Sequence, residues 1–159
     1  MAKVIFGNDV VLLDPEDLWL LEHNGFSQWS VRTNNGMRYV GRKPVPGSSD
    51  KTYESLHRLI ADCPEGMMVD HINGNTLDNR RSNLRVCTHA ENMRNRKIHK
   101  NNKSGFKGVY LDRITGKWKA QIRNNRKRFY LGSYETPEEA SKAYLDAAER
   151  LHGEFFRAA

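Results

Sequence analysis

Short runs of hydrophobic residues separated by polar turns open the chain. Residues 10–13, 29–32 and 38–40 have the β-branched and aromatic content of short strands. The Asn-Asn-Gly turn at 34–36 predicts a hairpin, because asparagine and glycine accept the positive φ angles that such turns need. Over residues 53–60 the apolar positions fall at helical spacing, which predicts a helix.

The middle of the chain has the order strand, loop, strand, helix. An apolar strand at 67–72 ends in a carboxylate–imidazole pair, a polar loop follows, and residues 84–87 alternate like a second strand. A Thr-x-x-Glu capping box that begins at Thr88 predicts a helix over 89–97, because its two side chains bond the first free backbone N–H groups.

The last part of the chain predicts a three-stranded antiparallel sheet packed on one helix, with strands at 107–112, 117–123 and 128–134. A second capping box and apolar residues at helical spacing follow, and Gly153 is placed to end this helix. The predicted fold class is therefore α+β.

Alternation within these strands predicts which side chains face the helix. Ala120 and Ile122 alternate with polar residues in the second strand, so the apolar face is expected to meet the helix. In the third strand, Phe129 and Leu131 are expected to point inward. The opposite face is left for solvent or a polar partner.

Composition and charge narrow the class of partner. The 159 residues have a formal net charge of +7, but residues 67–134 alone contain 16 basic and 4 acidic side chains. A confined basic block that includes aromatic residues favours nucleic acid over a merely solvated surface. Two cysteines without a Cys-x-x-Cys pair argue against a disulfide scaffold and against a Cys-rich zinc site. No apolar run approaches the roughly 20 residues of a membrane span. The default prediction is a soluble cytoplasmic protein with an acidic partner and no membrane.

Four polar residues of the middle segment could perform chemistry. Asp70 and His71 stand side by side, and the following helix can bring Asn92 opposite them. Asp70 and Asn92 offer oxygen ligands for a hard cation such as Mg²⁺, with Mn²⁺ as the alternative. His71 could take a proton from a water that attacks a phosphodiester, and Asn83 could fix the loop by bonding backbone groups. The competing interpretation is an ordinary asparagine-rich turn.

A family resemblance favours catalysis. The segments VDHINGN (69–75), LDNRRSNLR (77–85) and NMRNR (92–96) resemble the HNH endonucleases of the phage and intron homing type, whose core is the ββα-metal fold.

The resemblance implies roles for individual residues. It makes His71 the general base and Asn83 the central structural asparagine, with Asp70 and Asn92 as metal ligands. Asn92 stands where the family name has histidine, so His89 and Asn95, its neighbours on the helix, remain alternative ligands.

Residues 105–156 resemble the Apetala/ethylene-response-factor-type DNA-binding domain through GFKGVY (105–110), GKWKAQIR (116–123) and YLGSY (130–134). A basic sheet can enter the major groove, where Arg, Lys and Gln reach base edges. The residues expected to contact DNA are Lys107, Tyr110, Lys119, Gln121, Arg123, Arg128 and Tyr130. Those expected to hold phosphates without reading sequence are Arg80, Arg81, Arg85 and Arg96.

The sequence thus predicts a metal-dependent endonuclease of double-stranded DNA. The expected organisation is a β-rich segment of unassigned role at 1–50, a nuclease core at 51–100, a linker at 101–104 and the DNA-binding domain at 105–159. A monomer in the host-cell cytoplasm is favoured, with a dimer left open. The rival hypothesis is a non-catalytic DNA-binding regulator with a decayed HNH core.

Overall fold

The chain divides into two units, Met1–Asn92 and Met93–Ala159, in a computed structural model. The structure describes residues 1–23, 25–43, 53–96, 98, 101–125 and 127–156. Within these residues no helix is long and apolar enough to cross a membrane.

Two antiparallel hairpins build the amino-terminal part of the first unit. Strands β1 (Ala2–Phe6) and β2 (Asp9–Leu13) form one, and β3 (Trp29–Asn34) and β4 (Met37–Arg42) form the other, with helix α1 (Trp19–His23) between them. The predicted turn of the second hairpin is confirmed, since Asn35 and Gly36 have φ angles of 49° and 78°. Strand β1 was not predicted.

The helix predicted over 53–60 is shorter in the structure. Residues Glu54–Ser55 form strand β5, which pairs with β4, and helix α2 spans only Leu56–Ile60. The extended start is stabilised by an ion pair of 2.5 Å between Arg42 Nε and Glu54 Oε2. A partner twelve residues away in sequence thus overrides the local helical pattern.

The predicted strand–loop–strand–helix order is confirmed as β6 (Met68–His71), β7 (Leu84–Cys87) and α3 (His89–Arg94). The capping box is formed, because Thr88 N donates to Glu91 Oε2 at 2.7 Å and Glu91 N donates to Thr88 Oγ1 at 3.3 Å. The helix ends at Arg94, before the predicted end at residue 97, which lies outside the described residues.

One hydrophobic core joins the two parts of this unit. Its buried residues come from both sides of residue 50, and the half-buried Leu77 and Leu84 pack against it. The buried residues of this core are Val4, Val11, Leu13, Leu21, Trp29, Val40, Leu56 and Ile60. The predicted boundary at residue 50 lies outside the described residues, but segments 1–43 and 53–92 do not have separate cores.

The second unit is a three-stranded antiparallel sheet with one helix, as predicted. Strands β8 (Val109–Leu111), β9 (Trp118–Asn124) and β10 (Lys127–Tyr134) lie in the order β10-β9-β8, and helix α4 spans Pro137–His152. The core consists mainly of small residues, among them Ala120, Ala140 and Ala148, which are fully buried. Small side chains let the helix approach the sheet closely.

Two details of the second unit differ from expectation. Phe129 is 44% exposed although it was predicted to point inward, because it lies on the edge strand β10, which has a neighbour on one side only. Part of the predicted linker is bonded to the sheet that follows, since Ser104 Oγ donates to the carbonyl of Val109 at 2.8 Å.

Candidate active site and nucleic-acid interface

Asp70 lies in a buried ion pair. It is opposite Arg85 in the β6–β7 ladder, and its Oδ2 accepts hydrogen bonds from Arg85 Nε at 2.9 Å and Nη2 at 2.7 Å. Only 5% of Asp70 is exposed. A predicted metal ligand and a predicted phosphate contact therefore bond to each other.

His71 ends β6 in a buried aromatic cluster. Its ring meets that of His57 edge to face at 5.2 Å between centroids, and that of Tyr39 at 6.3 Å. Its Nε2 lies 3.3 Å from Asn79 Oδ1. Three elements therefore surround the ring: β4, α2 and the loop between β6 and β7.

Burial keeps both histidines of the cluster neutral. It lowers the pKa of His71, against the opposing effects of the Asn79 hydrogen bond and the Asp70 and Asp78 carboxylates. Burial, with the nearby His71 and Arg58, lowers the pKa of His57 to about 3. A neutral imidazole at His71 can accept a proton at physiological pH.

Asn83 links the two ends of the loop that follows His71. Its Oδ1 accepts from Asn73 N at 2.9 Å, and its Nδ2 donates to the carbonyl of Asp78 at 2.7 Å. Asn73 in turn donates from Nδ2 to Asp78 Oδ2 at 2.8 Å. This geometry is what a loop-fixing asparagine needs, and the catalytic importance of Asn83 stays a prediction.

Helix α3 brings Asn92 over strand β6, where its Nδ2 lies 3.7 Å from Met68 Sδ. Of the alternative ligands on this segment, His89 is exposed and Asn95 lies beyond the helix end, 5% exposed. The structure thus shows Asn92 against the strand that ends in Asp70 and His71.

A divalent metal fits these residues by donor type. The Asp70 carboxylate and the Asn92 amide both offer oxygen, which Mg²⁺ prefers, and Mg²⁺ usually keeps several waters. No group of three or more His, Cys, Asp or Glu side chains suited to a metal occurs among the described residues, so the set would be one carboxylate and one amide. Asp70 would share its carboxylate between the cation and Arg85.

The other arginines of the first unit that were expected to contact phosphate also bond carboxylates. Arg80 donates from Nε and Nη2 to Asp78 at 2.7 and 2.6 Å. Arg81 donates from Nε and Nη2 to the fully buried Asp17 at 3.0 and 2.5 Å, while 56% of its side chain stays exposed. These pairs offset part of the positive charge that the sequence places here. Arg96 is exposed.

On the sheet of the second unit, the register gathers the residues predicted to bind DNA on one face. Cross-strand partners are Tyr110 with Lys119, Gln121 with Tyr130, and Arg123 with Arg128. Arg123, Arg128 and Tyr130 are exposed, whereas Ala120 and Ile122 on the opposite face are buried.

The charges on this face differ in their partners. Arg123 stands directly opposite Arg128, an arrangement of like charges that costs stability and that a polyanion would relieve. Lys119 bonds Asp112 Oδ2 at 2.6 Å, and this contact, with those of Thr115 and the Ile114 N–H, lowers the pKa of Asp112 to about 2. Lys107 lies half-buried in the turn before β8 rather than in a strand.

Comparison with known protein families gives one match in each of the two units. A model described as HNH endonuclease matches residues 56–94, which contain α2, β6, β7 and α3. A model described as AP2 domain matches residues 104–154. The chain belongs to the HNH endonuclease family and has a carboxy-terminal AP2 domain. We call Met1–Asn92 the HNH unit and Met93–Ala159 the AP2 unit.

Curated relatives match one or both units. An uncharacterized HNH endonuclease of Acanthamoeba polyphaga mimivirus is 33% identical over 123 residues, which are 74% of this chain and 63% of that protein's length. Protein 3.8 of Escherichia phage T7 is 34% identical over 94 residues, covering 59% of this chain and 77% of that protein.

The AP2 unit also matches plant proteins. An ethylene-responsive transcription factor of Medicago truncatula is 45% identical over 65 residues, which are 40% of this chain and 27% of that protein. No solved structure matches the chain.

Sequence reasoning missed two neighbours of His71. Tyr39 comes from β4, in the segment to which no role was assigned, and nothing in its local sequence marks it. Asn79 lies in the asparagine-rich loop, where its neighbours Asn73, Asn75 and Asn83 gave the same signal. His57 lies in the segment predicted to be a helix, and its ring contact with His71 makes it part of the site.

Proposed function

We propose that the protein is a metal-dependent endonuclease that hydrolyses phosphodiester bonds in double-stranded DNA. The observation that supports this best is the buried neutral His71, next to Asp70, at the end of β6 within the HNH match. A nuclease needs a base of this kind to take a proton from the attacking water.

In this proposal His71 is the general base and Asn83 holds the loop that follows it. Asp70 and Asn92 are the ligands of a divalent cation, Mg²⁺ or Mn²⁺. When bound, the cation would supply positive charge that polarises the phosphate and stabilises the leaving oxygen. Arg85 holds one carboxylate oxygen of Asp70 through two N–H groups and so fixes its orientation.

The AP2 unit would hold the target through the exposed face of its sheet. Arg123, Arg128 and Gln121 have the chemistry to donate to base edges or phosphates. The two strands that present them are fixed by antiparallel pairing along β9 and β10. This unit would therefore determine where on the DNA the HNH unit cuts.

A homing or phage-encoded role in the host-cell cytoplasm, acting as a monomer, is the proposed biological setting. The similarity to protein 3.8 of Escherichia phage T7 supports a phage setting for this protein.

A non-catalytic DNA-binding regulator is the second candidate. Two observations favour it: the plant relatives of the AP2 unit are named transcription factors, and Arg85 already bonds the carboxylate that a cation would need. Activity decides between the two candidates.

The test is nicking of supercoiled plasmid by the full chain, with Mg²⁺ or Mn²⁺ and with chelator. We expect metal-dependent relaxation by the wild type and a loss of about 10²-fold or more in His71→Ala, the usual contribution of a general base. His23→Ala is the matched control, since His23 is exposed on α1. Equal nicking by His71→Ala and wild type would refute the mechanism, and DNA binding without nicking by the wild type would favour the regulator.

A further inference from the structure

Asn79 is a buried polar residue with an incomplete set of hydrogen bonds. It is 0% exposed, its Oδ1 faces His71 Nε2 at 3.3 Å, and its Nδ2 has no hydrogen-bond partner within the described part of the chain. Burying an amide N–H without a partner costs stability, so packing alone does not explain an asparagine here.

The backbone of Asn79 is held by a strand from the segment of unassigned role. Asn79 N donates to the carbonyl of Leu12 at 2.8 Å, and Leu12 N donates to the carbonyl of Leu77 at 2.9 Å. Strand β2 thus forms a parallel bridge with the loop at Asp78, and Val11 and Leu13 beside Leu12 are fully buried. The loop is anchored to the core just where Asn79 faces the histidine.

The same stretch is fixed from the other side. Asn83 Nδ2 bonds the carbonyl of Asp78, the residue before Asn79. The hydrogen bonds at Asn79 N and at the carbonyl of Asp78 hold the peptide group between these two residues from both sides. The side chain of Asn79 therefore has a defined direction, and its Oδ1 lies next to Nε2 of His71. A fixed acceptor can select one of the two neutral forms of a histidine ring.

We infer that Asn79 is a positioning residue for His71, held in place by β2, and this inference rests on the proposed function of His71. An amide oxygen only accepts hydrogen bonds, so Nε2 of His71 must be the protonated nitrogen in this contact. The lone pair that takes a proton from water then belongs to Nδ1. Strand β2 thereby contributes to the active site through the hydrogen bond that Asn79 N donates to the carbonyl of Leu12.

The direct test measures the ring rather than the reaction. Long-range ¹⁵N–¹H NMR of the full chain at pH 8, with His71 assigned by comparison with His71→Gln, distinguishes the two neutral forms by their nitrogen shifts. We expect His71 to be protonated at Nε2. Protonation at Nδ1 would overturn the inference, whatever the activity of the protein.

A pair of variants tests the catalytic consequence. Asn79→Leu keeps the side-chain volume and removes the acceptor, whereas Asn79→Asp keeps an acceptor oxygen at the same distance along the side chain. We expect Asn79→Leu to lower kcat for plasmid nicking at least tenfold with KM for DNA unchanged, and to lose the single Nε2–H form. Asn79→Asp should retain that form and nick faster than Asn79→Leu.

The outcomes separate this inference from the proposed function. Wild-type nicking that requires His71 but is unchanged in Asn79→Leu would refute the positioning role alone. If Asn79→Leu does not fold, the wild-type NMR spectrum still decides the inference. Absence of metal-dependent nicking in the wild type would refute the proposed function, while the ring measurement would still report whether Asn79 selects the neutral form.

Discussion

The two units of the chain use their arginines differently. In the HNH unit, Arg81 and Arg85 donate paired hydrogen bonds to the buried carboxylates of Asp17 and Asp70. In the AP2 unit, Arg123 and Arg128 are exposed and stand opposite each other on neighbouring strands. Similar residues in one basic stretch of sequence thus serve two purposes: the first set stabilises a fold, and the second is available for a polyanion.

This difference changes the meaning of the charge pattern. A count of basic residues treats the whole of 67–134 as one DNA-facing surface. The structure divides it, because the carboxylates that pair with Arg80 and Arg85 lie in the same stretch, whereas Asp17 reaches Arg81 from 64 residues away. We therefore expect the contribution of each arginine to stability and to DNA binding to differ between the units.

The largest effect should come from breaking a buried pair of the HNH unit. Arg81→Ala leaves the fully buried Asp17 carboxylate without its partner, and we expect a loss of about 3 kcal/mol in the free energy of unfolding. Denaturant unfolding measures this loss. Arg123→Ala, in the AP2 unit, is the control and should change stability by less than about 0.5 kcal/mol. Equal losses of unfolding free energy in the two variants would contradict the difference between the arginines of the two units.

Acid should weaken the HNH unit through its buried histidines. The pKa of His57 is about 3 in the folded chain, against about 6.5 when unfolded, so the unfolded state binds more protons as the pH falls below 6.5. The contribution of the neutral His57 to the free energy of unfolding is present above about pH 6.5. At pH 5 the free energy of unfolding should be lower by about 2 kcal/mol.

The control for the acid effect is His57→Phe, which keeps an aromatic ring and removes the titrating group. Hydrogen exchange of the β6 amides at pH 7 and pH 5 measures the difference between the variant and the wild type. The lowered pKa of His152 acts in the same direction in both proteins and cancels in that difference. An identical pH dependence in the two proteins would contradict the assignment to His57.

DNA binding should depend on the exposed arginines. We expect Arg123→Ala to lower affinity for target DNA about tenfold, which corresponds to one lost contact of roughly 1–2 kcal/mol. Fluorescence anisotropy at fixed salt measures it. Arg80→Ala should leave affinity nearly unchanged, because Arg80 already bonds Asp78. A larger loss in Arg80→Ala than in Arg123→Ala would reverse the division between the units.

The smallest effect should come from the ion pair between Asp112 and Lys119 on the AP2 sheet. Asp112→Asn removes the carboxylate that bonds Lys119 and leaves a side chain of the same shape. A lysine without this partner should strengthen DNA binding by about two- to fivefold at low salt and steepen its salt dependence. Unchanged affinity and salt dependence would mean that Lys119 does not face DNA.

Local pattern was enough for much of the fold. The two capping boxes, the Asn-Asn-Gly turn and the alternation of Ala120 and Ile122 each depend on residues close in sequence, and each is confirmed. Asp70 and His71 could be singled out because a carboxylate and an imidazole end one short strand.

Contacts between distant segments could not be predicted in the same way. Tyr39 reaches His71 from β4, Asp17 reaches Arg81 from the segment before α1, and Leu12 bonds Asn79 across 67 residues. Each of these contacts depends on how the shared core of the HNH unit packs. A pattern of residues that are close together in the sequence cannot predict such packing. The shortened α2 and the exposed Phe129 also result from strand pairing. Residues Glu54–Ser55 pair with β4, and Phe129 lies on an edge strand.

We propose that the HNH unit cuts DNA through His71 and that the AP2 unit selects the site. Sequencing of the DNA ends produced on a phage-sized genome with Mg²⁺ tests both parts at once. We expect preferred sites for the wild type, cuts at scattered sites for Arg123→Ala combined with Arg128→Ala, and no ends above background for His71→Ala. Cuts by His71→Ala at the wild-type positions and frequency would show that His71 is not the base that drives cleavage.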